Sequence, residues 1–205
     1  MVGYKAFNSD KTNRYGKEFK EGEHYHVDGD ILARFGTEGN GLYYCTHIAD
    51  IFRFFPNDED VKVGVVKATG QIDSCIDDYN NYEIFASSDM EILRFLTREE
   101  VLNLIILDGR YSIEKAIKTY KLTDEEKDII LDNARGDYQL MGEVLWYCYD
   151  RKEIYHVDRE DYYQILTEEY TKLDERLKEK KSKIKKWLFK SFFIYDIITL
   201  KGRLR

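Results

Sequence analysis

The chain has 205 residues, enough for one large domain or for a compact domain with a smaller companion. Hydrophobic residues make up 43% of it, which can fill a core and excludes intrinsic disorder as the main state. The net charge of -7 hides an asymmetry, because the segment from Thr171 to Arg205 holds twelve Lys and Arg against four Asp and Glu. An acidic body is therefore followed by a basic tail.

Patterns typical of β-strands dominate the first 96 residues. Short runs rich in β-branched and aromatic residues, bounded by Gly, Asn, Asp or Ser, predict these strands. They are Tyr4–Phe7, Glu23–Val27, Ile31–Phe35, Val61–Gly70, Tyr82–Ala86 and Met90–Leu96. The last two are predicted as separate strands around a break at Ser87–Asp89.

One stretch, Gly39–Phe55, combines three kinds of local structure. Its two glycines permit a tight turn, because a residue without a Cβ reaches positive φ freely. A short aromatic run follows, and apolar side chains then recur at helical spacing, namely Ile48, Ile51, Phe52 and Phe55. We expect a loop, a short buried strand and a helix of one to two turns that ends at Pro56.

The hydrophobic period becomes helical from Thr97 onward. Thr97–Glu100 and Thr123–Glu126 each place a hydroxyl three residues before a carboxylate, which predicts a capping box at a helix start. A third helix is predicted over Tyr138–Tyr149, and a fourth begins near Arg159 or Asp161 and continues into the basic tail.

This order of elements predicts an α+β protein. Residues 1–96 form a β-rich domain with one embedded helix, and residues 97–205 form a helical region packed on or next to it. The helical region ends in a basic amphipathic helix.

The cysteines and the hydropathy indicate the compartment. Cys45, Cys75 and Cys148 are odd in number and lie in apolar surroundings, as buried free thiols of a reducing compartment do. The N-terminus has no apolar core of signal-peptide length. The most hydrophobic segment, Trp187–Leu200, is too short and too charged to span a bilayer. We expect a cytoplasmic protein without a transmembrane segment.

Four motifs of the first half carry a resemblance to a known family: Tyr4–Asp10, Glu21–Tyr25, Gly41–Cys45 and Ala86–Leu93. With them, residues 4–101 resemble a family of uncharacterised domains found near the N-terminus of bacterial and phage proteins. The resemblance brings no activity. It implies an association with a phage or another mobile element.

A weaker likeness concerns the order of three residues: Lys5 on the first strand, Tyr43 before a helix and Glu83 on a later strand. This order resembles ADP-ribosyltransferases at the level of the fold. The resemblance implies that Lys5 and Tyr43 hold NAD, and that Glu83 stabilises the positively charged sugar as nicotinamide leaves. In the alternative interpretation Tyr43 is a core residue and Glu83 a solvated strand residue.

Histidine and cysteine spacing supports a metal hypothesis. His24 and His26 lie two apart on a predicted strand, so both side chains project from one face, and Cys45 and His47 share that spacing. If these segments were neighbours, the four residues would match a zinc site in ligand type. Alternatively, His24 lies on a solvated edge strand.

The basic tail offers a candidate partner-binding surface. Its apolar positions can form a stripe, while lysines dominate elsewhere; the candidates for contact are Lys180, Lys183, Lys186 and Trp187. Three interpretations stay open. The tail packs on the protein's own acidic body, lies on an anionic membrane, or binds the phosphates of a nucleic acid.

Taken together, these patterns predict a protein-binding module of phage or mobile-element association that needs no cofactor. Its acidic surface would bind a basic host protein and so inhibit a nucleic-acid-binding or defence protein of the host. The alternative is an ADP-ribosyltransferase-like enzyme that uses NAD to modify a host macromolecule.

Overall fold

The first half of the chain forms an antiparallel sheet. The computed structural model describes residues 1–35, 39–55, 61–77, 82–151 and 156–176. Within these residues the strands are β1 (Val2–Phe7), β2 (His24–His26), β3 (Leu42–Tyr44), β4 (Lys62–Asp77) and β5 (Tyr82–Leu96). Their order is β1-β4-β5-β2, and β3 also pairs with β5. Each of these pairings is antiparallel.

Helices follow the sheet. They are α1 (Arg98–Leu107), α2 (Arg110–Thr119), α3 (Asp124–Asn133), α4 (Tyr138–Tyr149) and α5, which covers residues 159–176 of the described chain. A 3-10 helix, Ile48–Phe54, is embedded among the strands. The strands come first along the chain and the helices follow, which confirms the predicted α+β class. None of the helices in the described ranges has the length and apolar character needed to cross a membrane.

The chain divides into two compact units, Met1–Glu126 and Lys127–Arg205. The change from strands to helices falls at Thr97, whereas the border between the units falls inside α3. The predicted division between residues 96 and 97 thus marks the change of secondary structure. As a domain boundary it stays a prediction.

Both predicted capping boxes are present. The Thr97 hydroxyl accepts from the Glu100 amide, and the Glu100 carboxylate accepts from the Thr97 amide at 2.8 Å. At the start of α3 the Thr123 amide donates to the Glu126 carboxylate at 2.8 Å, and the Glu126 amide donates to the Thr123 hydroxyl at 3.3 Å. Each box satisfies two backbone donors that a helix start leaves without intrahelical partners.

The predicted break at Ser87–Asp89 is wrong, because β5 runs without interruption from Tyr82 to Leu96. The irregularity lies on the opposite strand, where the pairing with β5 shifts between Thr69 and Ile72. Gly70 sits in this bulge with a φ of +73°. The Gln71 amide then donates to the Ser88 hydroxyl at 3.0 Å, so Ser88 satisfies a backbone donor of the bulge instead of ending the strand.

The stretch from Gly39 to Phe55 has the predicted order of elements. β3 is short and buried at Leu42 and Tyr44, and a helix follows, although it is of the 3-10 type. The predicted end at Pro56 lies outside the described residues. The predicted strand at Ile31–Phe35 is wrong, since only Leu32 pairs there, in an isolated bridge with Asn40.

Two clusters of buried side chains fill the two sides of the sheet around β3. The larger one includes Phe7, Phe19, Leu42, Tyr44, Val66, Ala68, Met90 and Ile92. The smaller one combines Ile31, Ala33 and Ala86, with Tyr43 and Cys75 packed against it. Because side chains alternate along a strand, β3 contributes Leu42 and Tyr44 to one cluster and Tyr43 to the other. The three cysteines are free thiols, with Cys45 buried and the other two half-buried.

Candidate functional site

A cavity of about 420 Å³ lies beside β1 and β3 within the first unit. Its walls come from β1, from the loop that precedes Phe19, from residues near Asn40 and from the end of the 3-10 helix. A volume of this size is typical of small-molecule sites. Eight of its described lining residues are aromatic, so the cavity offers flat apolar surface.

The charged residues of this cavity all have the same sign. Four cationic side chains line it, Lys5, Arg14, Lys17 and Arg34, and none of the described lining residues is acidic. Within the described part of the chain, none of the four forms an ion pair. In a chain with a net charge of -7, this is a local reversal of charge.

Two ammonium groups of the cavity face one aromatic ring. The Nζ of Lys5 lies 5.8 Å from the ring centroid of Phe19, and the Nζ of Lys17 lies 5.7 Å from the same centroid. Lys5 also donates a hydrogen bond of 2.7 Å to the Tyr43 carbonyl. Burial lowers the pKa of Lys5 to about 8; the nearby Cys45 thiol works against this change and the charge of Lys17 adds to it.

The two arginines, Arg14 and Arg34, line the same cavity. Arg14 donates to the Phe54 carbonyl and lies 5.7 Å from the ring centroids of Phe54 and Phe55. Arg34 donates to the Ala33 carbonyl at 2.7 Å. Both guanidinium groups keep donors beyond these bonds, because each carries five N–H groups. Tyr15 lines the cavity while it is 88% exposed, so its ring is accessible to a ligand.

Tyr43 forms one wall of the cavity. Its hydroxyl donates to the Leu32 carbonyl at 3.0 Å and accepts from the Arg34 amide at 3.4 Å. Gly39 permits this position, since a Cβ there would lie 1.6 Å from the Tyr43 hydroxyl oxygen. Tyr43 thus connects the segment before Gly39 to β3 through the hydrogen bonds of its hydroxyl.

The structure brings together two of the three residues of the transferase hypothesis. Lys5 and Tyr43 line the cavity, whereas Glu83 is not among the described lining residues. Tyr43 pairs with Ala86 on β5, so Glu83 projects from the opposite face of that strand. The Glu83 amide is directed to the Asp50 carboxylate, at 3.5 Å. The three residues do not converge on one cleft.

The structure does not bring the four residues of the metal hypothesis together. His24 and His26 do share an exposed face of β2, but each lies against carboxylates: His24 faces Glu91, and His26 bonds to Asp89 and Asp28. Cys45 is buried beside β1, and its backbone pairs with Tyr4. His47 bonds to Asp108 at 3.0 Å. Within the described ranges no group of three or more His, Cys, Asp or Glu could hold a metal.

The predicted partner-binding residues of the tail, Lys180, Lys183, Lys186 and Trp187, lie outside the described residues.

The sequence analysis named Lys5 and Tyr43 as transferase residues, which stays a prediction, and did not name the other cations of the cavity. A signal for Arg14 and Lys17 exists in the loop between β1 and β2, which carries a basic residue at every third position: Lys11, Arg14, Lys17 and Lys20. Tyr15 and Phe19 are interleaved with them. Basic and aromatic residues mixed in this way are typical of surfaces that bind anions with a planar group.

A second polar cluster connects the 3-10 helix with α2. The buried Asp50 carboxylate accepts from the Lys115 ammonium at 2.8 Å and from the Tyr111 hydroxyl at 3.1 Å. Lys115 also donates to the Tyr111 hydroxyl. Burial, and then the Asp50 charge, raises the pKa of Tyr111. Because these groups bond to one another, the cluster has the character of a structural ion pair.

Comparison with known proteins gives one match. A family model described as "Domain of unknown function (DUF7666)" matches residues 1–104, which include the cavity and the whole sheet. No curated protein and no solved structure matches the chain. The fold-level likeness to ADP-ribosyltransferases therefore finds no support among known proteins.

Proposed function

The chain belongs to the DUF7666 family of domains of unknown function, and we propose that its sheet unit binds a small anionic ligand with a planar ring in the cavity beside β3. The single observation that carries this proposal is the charge of the lining: four cations, and no carboxylate among its described residues.

Electrostatics favour an anion at Lys5 and Lys17. The positive charges of Lys5 and Lys17 repel each other, and the partial burial of Lys5 adds the cost of lost hydration. An anionic group close to both would offset the repulsion and form charge-assisted hydrogen bonds, which are roughly twice as strong as neutral ones. Arg14 and Arg34 supply further donors of the planar kind that matches phosphate and carboxylate groups.

The aromatic lining favours a ligand that also carries a ring. Tyr15 is 88% exposed, although a tyrosine ring is mostly apolar. Stacking of a base on an aromatic side chain contributes about 1–3 kcal/mol. A phosphate joined to a planar ring, as in a mononucleotide, satisfies both features of the cavity.

Binding of a basic host protein by the acidic body stays a prediction from the charge balance, as does the association with a phage or mobile element. The cavity is a separate feature, since its charge is opposite to that of the body. An NAD-dependent transferase reaction has less support, because Glu83 is not among the described lining residues of the cavity.

Three probes separate the two parts of the proposed ligand: AMP, inorganic phosphate and adenosine. We expect isothermal titration calorimetry to show AMP bound at least about tenfold more tightly than either fragment, since each part contributes favourable contacts. Lys17→Gln should weaken AMP binding by about tenfold, which corresponds to about 1.4 kcal/mol, close to the lower end of the range for a hydrogen bond to a charged group.

Lys20→Gln is the matched control. It removes the same charge from the same loop, but Lys20 is not among the lining residues and pairs with Glu18 at 3.7 Å. AMP affinity should change less than about twofold in this variant, because exposed charges act weakly at physiological salt. Equal losses in the two variants, or no saturable binding of AMP or phosphate to the wild type, would overturn the proposal.

A further inference from the structure

We propose that Lys5 forms a reversible imine with a carbonyl group of the ligand, so that the cavity takes anionic aldehydes or ketones. This inference rests on the proposed function, because the same cavity must first hold the anion. It adds a covalent step to a binding site.

The position of Lys5 fits a nucleophile better than a structural cation. Its side chain is half-buried, lines the cavity and makes one hydrogen bond, to the neutral carbonyl of Tyr43. Among the described residues it has no carboxylate partner. A lysine that only stabilises a fold is normally paired with an acidic group when it leaves water, as Lys115 is paired with Asp50.

The surroundings of Lys5 raise the fraction of its neutral amine, which is the reactive form. Burial disfavours the ammonium ion, and the cation of Lys17 disfavours it further; together these two effects outweigh the opposing effects of the Cys45 thiol and of the Phe7 and Phe19 rings, which favour a cation. With a pKa of about 8, roughly a tenth of Lys5 is neutral at pH 7, against less than about 0.1% for an ordinary lysine. Desolvation and a nearby cation are the two known ways to activate a lysine for imine formation.

The step balances without any oxidant or reductant. The Lys5 Nζ lone pair attacks the carbonyl carbon, and the electrons of the C=O π bond move to the oxygen. A proton passes from nitrogen to that oxygen, giving a carbinolamine. Loss of one water molecule then forms the C=N bond, and hydrolysis reverses the sequence. Lys17 and Arg34, which line the same cavity, would hold the anionic group of the ligand.

The test uses the full chain and pyridoxal 5′-phosphate, a probe that joins a phosphate, a planar ring and an aldehyde. Adducts are fixed with borohydride and assigned by peptide mass spectrometry. At a substoichiometric dose and pH 7, we expect Lys5 to be labelled at least about tenfold more than Lys62, an exposed lysine of β4. The labelling of Lys5 should rise with a midpoint near pH 8.

Competition shows that the reaction takes place in the cavity. Excess AMP should reduce labelling of Lys5 at least about fivefold and leave Lys62 unchanged. Lys17→Gln should move the Lys5 midpoint to higher pH, because a repelling charge has been removed. Lys20→Gln, the charge-matched control, should leave the midpoint in place.

The outcomes separate the two proposals. If the protein binds AMP but Lys5 is labelled no faster than Lys62, the imine proposal is overturned and the anion-site proposal is retained. Absence of both AMP binding and selective labelling overturns the anion site and the imine together.

Discussion

Gly70 shows how one residue decides the course of the long β4–β5 hairpin. A Cβ at this position would lie 2.1 Å from the Ser88 hydroxyl oxygen and 2.3 Å from a carboxylate oxygen of Asp89. Its φ of +73° is also one that residues with a side chain rarely adopt. Both constraints arise because the bulge turns the backbone of β4 toward the polar residues of β5.

Gly70→Ala should therefore destabilise the protein by about 2–4 kcal/mol, since a left-handed conformation costs about 1–2 kcal/mol and the contact with Ser88 and Asp89 adds to it. Gly16→Ala is the control, because Gly16 has a similar φ of +78° and no atom within 4 Å of the added Cβ. It should lose only the conformational cost of about 1–2 kcal/mol. Urea unfolding measures both, and equal losses would contradict the role given to the contact.

Lys5 and Tyr43 were singled out through the resemblance to ADP-ribosyltransferases, and their role as site residues stays a prediction. Lys5 and Tyr43 belong to β1 and β3, whose patterns are clear, and both line the cavity. Lys17 belongs to a loop, and no hydrophobic period shows which way a loop side chain projects. Glu83 was assigned to the right strand, but its face depends on the pairing of β3 with β5.

At the scale of elements, the ion pair of Asp50 and Lys115 is a buried polar contact between the 3-10 helix and α2. The Asp50 side chain is fully buried and that of Lys115 is 12% exposed. Burial of two charges costs several kcal/mol per ion, which their attraction offsets only while both are present. The pair is therefore sensitive to the loss of either partner.

A double-mutant cycle tests this dependence. Lys115→Met should destabilise the protein by about 3–5 kcal/mol, because it leaves a buried carboxylate without its cation. Asp50→Leu combined with Lys115→Met should cost much less than the sum of the two single variants, since no buried charge remains. Chemical denaturation gives the three free energies of unfolding. Additive effects would show that the two groups do not depend on each other.

Elements with local signals were predicted well. Thr97 and Thr123 start their helices with the expected capping boxes, and α4 has the predicted bounds, Tyr138 and Tyr149. A capping box is complete within four residues, so the sequence contains all its parts. The continuity of β5 was missed, because the run Ser87–Asp89 is typical of a break between strands, and only the structure shows that a bulge on β4 donates to the Ser88 hydroxyl.

For the whole molecule, carboxylates of both units make the stability of the fold depend on pH. In the first unit, hydrogen bonds from Ser88 and then from His26 lower the pKa of Asp89. In the second, burial raises the pKa of Glu169, but bonds from Lys172 and Arg151 more than offset this and the net pKa is lowered. A carboxyl group with a lowered folded-state pKa stabilises the fold when it is ionised.

This stabilisation should be present above the unfolded-state pKa values, about 3.9 for Asp and about 4.3 for Glu, and lost as the pH falls through the lower folded-state values. Asp89→Asn and Glu169→Gln should each flatten the fall of the thermal midpoint between pH 5 and pH 2, followed by circular dichroism. Glu175→Gln, which changes an exposed residue of α5, is the control. An unchanged slope in the first two variants would contradict the assignment.

The sequence by itself determined the α+β class, the starts of the helices and the resemblance to a family of uncharacterised domains, because periodicity, capping and motifs are local properties. Only the tertiary structure decided which charges meet. The cavity draws Lys5 from β1, Lys17 from a loop and Arg34 from the segment before β3. Their proximity depends on strand register and on the path of the loops. Both result from long-range packing, so an acidic chain could conceal a cationic cavity until its fold was known.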